Sequence, residues 1–198
     1  MRILRRPARR PAKLGILAGS FNPPTVAHLE LARAAYAYVD EVLCVLPREL
    51  PHKTFFGATI DQRIELIESA GLPGTHSIGI SERGLFLEIA RECREHYSSK
   101  TRLYFVCGRD AAERVIGWDY GRPTAHAEMR DEFDLLVAPR GGGYEPPPEW
   151  RGRIQELSVS EAIGDISSTE VRTRIERRER WQHLVPDAIV EQISRIYS

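Results

Sequence analysis

Three observations predict an α/β fold built on a doubly wound parallel sheet. Short β-branched runs alternate with longer amphipathic stretches along most of the chain, the order of repeated β-α units. The runs are nearly all apolar, as strands covered on both faces are. The stretches between them carry helix start and stop signals.

Taken in order, the first strand is "KLGILAG" (13–19), and "TVAHLELARAAYAYV" follows it as a helix with Val26, Leu29, Ala32, Ala35 and Tyr36 on one face. "EVLCVLP" (41–47) is the second strand. The helix "TIDQRIELIESAG" opens on the capping box Thr59/Gln62 and closes on Gly71. "HSIGIS" (76–81), "RLYFVCG" (102–108) and "DLLVAP" (134–139) continue the sheet, with the helix "LFLEIARECREHY" after the first of them. "RIQELSV" (153–159), less uniformly apolar, is a sixth candidate, and "STEVRTRIERR" with "PDAIVEQISRIY" makes a helical C-terminal part. "RGGGYEPPPEW" (140–150) reads as a loop after the fifth strand. The expectation is a Rossmann-like sheet of five or six strands.

The 198 residues lie within the size range of a single domain, expected over 13–198. Residues 1–12, "MRILRRPARRPA", hold five arginines and two prolines and are expected to form a flexible basic tail, with a nucleic-acid-binding arm as the alternative. Lysine plus arginine equals aspartate plus glutamate at 28 each, so no overall field draws the protein to nucleic acid or membrane. An anion site must therefore be local. The three cysteines form no CxxC pair or zinc-type cluster, no apolar run has membrane-spanning length, and the N-terminus lacks a signal-peptide stretch. A reduced, cytoplasmic protein with no resident metal is expected, and a homo-oligomer is compatible with the sequence.

Four segments are candidates for holding phosphate. In "GSFNPPTVAH", Gly19 ends the first strand without a side chain, Asn22, Pro23 and Pro24 stiffen the turn, and Thr25 and His28 stand one turn apart at the positive end of a helix. The competing reading makes Thr25 a plain N-cap, worth ~1 kcal/mol. In "GDISSTEVRTR", Ser167 and Glu170 have capping-box spacing, and Arg172 and Arg174 near a helix N-terminus suit an anion better than the dipole. A capped helix with a solvated basic face is the alternative. "LPRELPHKTF" brings Arg48, His52 and Lys53 to a proline-bounded loop, and "CGRDAAERVIGWDYG" brings Trp118, which is either core or a platform for a ring.

Together these residues resemble the nucleotidylyltransferases of the nicotinate and nicotinamide mononucleotide adenylyltransferase group. The hallmark GxFxPxHxGH, with threonine sometimes at the first histidine, is matched by "GSFNPPTVAH", and ISSTxxR by "ISSTEVR". "PHK", "DQR", "SERG", "GRD…W" and "LVP" match the bacterial nicotinate branch, and the resemblance runs from about Leu14 to Tyr197. It implies that the 5′-phosphate of a pyridine mononucleotide attacks the α-phosphate of ATP, with magnesium carried by the nucleotide and no enzyme nucleophile. It also implies site residues. His28, Thr25 and Arg172 would act on the phosphates, and Gly19, Ser20 and Phe21 would form their backbone bed. Ile166, Ser167, Ser168 and Thr169 would hold the β- and γ-phosphates, and Gly108 and Asp110 the ribose. Lys53, Trp118 and Arg109 would serve the acceptor.

The chain departs from the pattern at Ala27, where HxGH has glycine, and at Leu85, Phe86, Leu87 and Glu88, where the nicotinate branch has a stretch like PSYTxDT. Nicotinate mononucleotide is the expected acceptor. Nicotinamide mononucleotide, another phosphomonoester, or a regulatory module that binds ATP without transferring it are the alternatives.

Overall fold

The computed structural model describes residues 1–8, 10–49, 57–139 and 144–197. All six predicted strands form: β2 (Lys13–Ala18), β3 (Glu41–Pro47), β4 (His76–Ser81), β5 (Arg102–Gly108), β6 (Phe133–Ala138) and β7 (Ile154–Glu156). They pair in parallel in the order β4-β3-β2-β5-β6-β7. The winding therefore reverses at β2, from which the chain runs outward through β3 and β4 and then returns to β5 on the other side. That is a doubly wound sheet.

A seventh strand corrects the expected loose tail. Arg2–Arg5 forms β1, antiparallel to β4 at the edge of the sheet, with Arg2 opposite Ile80 and Ile3 opposite Gly79. The arginines disguised it, since an edge strand keeps charges in water while burying little. Gly79 makes room for it: a Cβ there would meet Ile3 Cδ1 at 3.2 Å and Met1 Sδ at 3.3 Å.

The helices are α1 (Val26–Ala35), α2 (Ile60–Ser69), α3 (Phe86–Arg94), α4 (Arg109–Gly117), α5 (Ala125–Glu132), α6 (Ser168–Glu176) and α7 (Val190–Tyr197). Alternate side chains of each central strand feed opposite faces. Leu14, Ile16, Val45, Phe105 and Val137 pack with α3, Ala112 of α4 and Met129 of α5. Leu17, Cys44, Leu46, Val106 and Leu136 pack with Ala32 and Ala35 of α1 and Ile67 of α2. A third cluster joins Leu66 and Ala70, on the outer side of α2, to Val171 of α6 and Ile193 of α7. The C-terminal helices thus sit over α2 and reach the end of the sheet where β2 stops.

The capping box of α2 forms as expected: Gln62 N–H donates to Thr59 Oγ1 at 3.2 Å, and Thr59 N–H donates to Gln62 Oε1 at 2.8 Å. Gly71 follows with φ +72°, the left-handed helix exit that glycine permits. Of the expected loop at 140–150, residues 140–143 lie outside the described residues, and Pro148–Trp150 forms a 3₁₀ turn that buries Trp150 completely.

Candidate active site

At the C-terminal edge of the sheet, where the winding reverses, a cleft of about 680 Å³ opens. Open α/β sheets bind ligands at such reversals because helix N-termini there present unpaired backbone N–H groups. Gly19 and Ser20 after β2, Gly108 at the end of β5, and Ala138 and Pro139 at the end of β6 form its base. His28 of α1, Asp110 and Arg114 of α4, and Ile166 to Thr169 with Arg172 at the start of α6 form its walls.

The loop from Gly19 to Thr25 is held through its backbone. Arg63 of α2 donates to the Ser20 carbonyl at 2.9 Å, Arg172 donates to the Asn22 carbonyl, and the Ser168 hydroxyl donates to the Pro23 carbonyl at 2.7 Å. The Tyr197 hydroxyl donates to Asn22 Oδ1. Phe21 sits at φ +45° with its ring buried, and the Asn22–Pro23 peptide is cis. Two helices distant in sequence, α6 and α7, therefore grip the loop that follows the first parallel strand. Burial depresses the pKa of Arg63, with a smaller opposing effect from Tyr197, and burial raises that of Tyr197 against the nearby Arg172 and Arg63.

His28 faces the cleft from the first turn of α1. Its Nδ1 accepts from the Thr25 N–H at 3.0 Å and lies 2.7 Å from Thr25 Oγ1. The Phe21 ring packs beside it at 4.9 Å between centroids. Nε2 lies on the side of Gly19, where a Cβ would come within 3.9 Å of it. With glycine at position 19, no side chain stands between the end of β2 and Nε2.

Of the residues expected at the site, Gly19, Ser20, His28, Gly108, Asp110, Ile166, Ser167, Ser168, Thr169 and Arg172 all line the cleft. Two of the others are placed differently. Thr25, expected on phosphate, is fully buried with its hydroxyl on His28. Phe21, expected in the backbone bed, is 1% exposed and serves as packing beneath His28. On the acceptor side, Arg109 is engaged by Glu113 at 2.7 Å, and Trp118, half-buried, follows α4 four residues after Arg114; neither lines the cleft. Lys53 and His52 lie outside the described residues, and Arg48 pairs with Glu82 at 3.1 Å.

The second motif also differs in detail. Ser167 caps α6 by accepting from the Glu170 N–H at 3.1 Å. The reciprocal half of the expected box is replaced by an ion pair of Glu170 with Arg174 at 2.6 Å. Arg174 thereby serves its own helix, and its charge near the N-terminus is balanced by Glu170. Asn22 was expected only to stiffen the turn, and no role was assigned to Arg63, Arg114 or Tyr197; Arg63 carried a signal as part of "DQR".

Among the described residues, no group of three or more His, Cys, Asp or Glu side chains could hold a metal ion, and no helix is long and apolar enough to cross a membrane.

Residues 16–174 match the model of the Cytidylyltransferase-like family. A probable nicotinate-nucleotide adenylyltransferase of Gloeobacter violaceus is 28% identical over 200 residues, covering 92% of this chain and 94% of its own length. One of Moorella thermoacetica is 28% identical over 203 residues, covering 93% and 90%. The Plasmodium falciparum nicotinic acid mononucleotide adenylyltransferase, solved with NaAD, aligns with a TM-score of 0.65 at 15% identity, over 94% of this chain and 98% of its own. At that identity the likeness is one of fold.

Proposed function

We propose that this chain, which belongs to the cytidylyltransferase-like family, transfers the adenylyl group of ATP to nicotinate mononucleotide, forming deamido-NAD and pyrophosphate. The observation that carries the reading is the convergence of Gly19, Ser20 and His28 with Ser167, Ser168, Thr169 and Arg172 in one cleft, although about 140 residues separate the two motifs. Relatives bearing the name nicotinate-nucleotide adenylyltransferase along nearly the whole chain support the acceptor.

In this reaction an oxygen of the acceptor's 5′-phosphate forms a bond to the α-phosphorus of Mg·ATP while the bond to the bridging oxygen breaks and pyrophosphate leaves. The acceptor phosphate is itself the nucleophile, so the protein supplies position and charge compensation. Fixing two reactants in line is worth on the order of 7–11 kcal/mol. His28 donates from Nε2 to the α-phosphate as charge builds on it. The N-terminal N–H groups of α6 and the Arg172 guanidinium hold the β- and γ-phosphates, with Gly19 and Ser20 as backbone bed, and Gly108 and Asp110 meet the ribose. The Ser168 hydroxyl is already given to Pro23, so Ser168 acts on phosphate through its N–H. Lys53, Trp118 and Arg109 are the proposed acceptor-side residues. A reducing, cytoplasmic setting suits the three buried, unpaired cysteines.

Incubation with ATP, magnesium and nicotinate mononucleotide is expected to yield dinucleotide and pyrophosphate in equal amounts. Absence of product from folded protein with either pyridine mononucleotide would overturn the acceptor. One observation favours including other phosphomonoesters in the panel. Phe86 and Leu87 are buried in the core, Phe86 stacking on Phe105 at 4.1 Å, so these two residues offer no polar side chain to a pyridine acid. Pyrophosphate release with such an acceptor alone would identify it as the substrate.

A further inference from the structure

We infer that Thr25 is a positioning residue whose two donors hold His28 as its Nε2–H tautomer and aim that proton into the cleft. A neutral imidazole carries one proton, and the nitrogen that bears it is set by what the other nitrogen meets. Here Nδ1 meets the Thr25 backbone N–H at 3.0 Å, a group that can only donate. A proton on Nδ1 would face another proton, so Nδ1 presents its lone pair and Nε2 carries the hydrogen. The Thr25 hydroxyl, 2.7 Å from the same nitrogen, turns its own proton to that lone pair. A rotatable O–H and a fixed N–H thus select the same tautomer.

The local fold explains why the two residues meet. Thr25 is the N-cap of α1 in extended conformation (φ −122°, ψ 166°), and His28 is the third helical residue, where a side chain can reach back to the cap's N–H. Glutamate or glutamine usually makes this return bond. A histidine there gains what those residues lack: a second nitrogen on the opposite side of the ring, which here lies toward Gly19 and the cleft. The Phe21 ring supports the imidazole from beside it.

The consequence concerns charge. The other tautomer would turn the lone pair of Nε2 toward an incoming phosphate oxygen and repel it. With the lock in place the tautomer is set before any ligand arrives, so no proton has to move between the ring nitrogens as negative charge develops. Thr25 is 0% exposed and absent from the cleft lining, so it acts through His28 and touches no phosphate itself.

This inference rests on the adenylyl-transfer reading only for the identity of the phosphate. Protein labelled with ¹⁵N-histidine, free of ligand, is expected to show the Nε2–H pattern for His28 in long-range ¹H–¹⁵N correlation spectra, assigned with His28→Ala. An Nδ1–H pattern or an imidazolium at neutral pH would overturn it. Thr25→Val is expected to lower kcat about tenfold, the scale of one hydrogen bond, while the Kd for a non-hydrolysable ATP analogue stays within twofold. Thr25→Ser is expected to restore turnover. In a His28→Ala background, Thr25→Val is expected to cost nothing further. An equal loss in that background, or a tenfold loss of analogue affinity, would put the hydroxyl on the ligand and sink the inference. If no acceptor releases pyrophosphate, the proposed function fails, and the spectrum of the ligand-free protein still decides the tautomer.

Discussion

His28 is where the site's chemistry is most concentrated, because a single ring joins the helix cap to the cleft. Its replacement by alanine is expected to lower turnover about 10²-fold or more, the cost of removing one donor to a developing charge. The fold is expected to survive, since the first-turn bond from the residue-28 N–H to the Thr25 carbonyl, 3.0 Å, is made by the backbone. Pyrophosphate release and the circular dichroism spectrum check the two halves together, and turnover equal to wild type would remove His28 from the mechanism. The remaining loop contacts act differently. Arg63, Arg172, Ser168 and Tyr197 spend donors on the backbone or side chain of residues 20–23, so they shape the bed before any nucleotide is present. Arg172 combines both tasks, bonding the Asn22 carbonyl while lining the cleft.

Individual elements carry stability separately from chemistry, and α2 allows the two to be told apart. Thr59 caps that helix away from the cleft lining, so Thr59→Ala is expected to cost about 1 kcal/mol in urea unfolding and to leave turnover unchanged. A large loss of turnover would show that the cap also holds Arg63 in place, which bonds the Thr59 carbonyl as well as Ser20. At the other end of the sheet, His76 opens β4, and its pKa lies below the ordinary 6.5, chiefly through burial. A bond with the Gly74 carbonyl opposes the shift and the charge of Arg5 on β1 adds to it. The unfolded chain therefore binds this proton more readily than the native one. Stability contributed by neutral His76 is complete above about pH 6.5 and is lost as pH falls below it. His76→Gln is expected to flatten the unfolding free energy across that interval, and an unchanged slope would refute the assignment. Elements with continuous apolar runs or paired helix signals were legible in the sequence: β3, β4 and β5 keep their predicted bounds, and Thr59, Gln62 and Gly71 do what their spacing implied. The sequence reading assigned no helix to α4 or α5. α4 presents Ala111, Ala112, Val115 and Ile116 to the core over little more than two turns and α5 buries only Ala125 and Met129, and neither N-cap makes a side-chain bond, so both helices lack the start signal that marked α2 and α6. The cleft's phosphate side was legible because motif residues stay close to their strand and helix ends. The Arg63 and Tyr197 contacts were not, because they depend on which helices the packing brings against residues 20–22.

Across the whole molecule, the sheet separates two apolar layers, and the three thiols report on both. Cys44 points from β3 into the layer with α1 and α2, while Cys107 on β5 and Cys93 on α3 lie in the opposite layer. Burial pushes each thiol up to about 12, so the thiolate, the form that reacts, is disfavoured while the fold holds. Labelling by a thiol reagent at pH 8 should then proceed only through opening. If residues 13–198 are one folding unit, both layers open together, and all three thiols share one protection free energy equal to that of global unfolding by urea. Sub-global opening would separate them. Cys107 sits at the end of β5 nearest the cleft, beside Gly108, so loosening confined to the active-site edge would expose it ahead of Cys44. The expected outcome is equal protection in the free protein, measured residue by residue by mass spectrometry. Saturating ATP is expected to raise all three values together, because a ligand bound only to the native state deepens one shared equilibrium. Faster labelling of Cys107 that ATP alone suppresses would instead show that the cleft edge opens as a unit of its own.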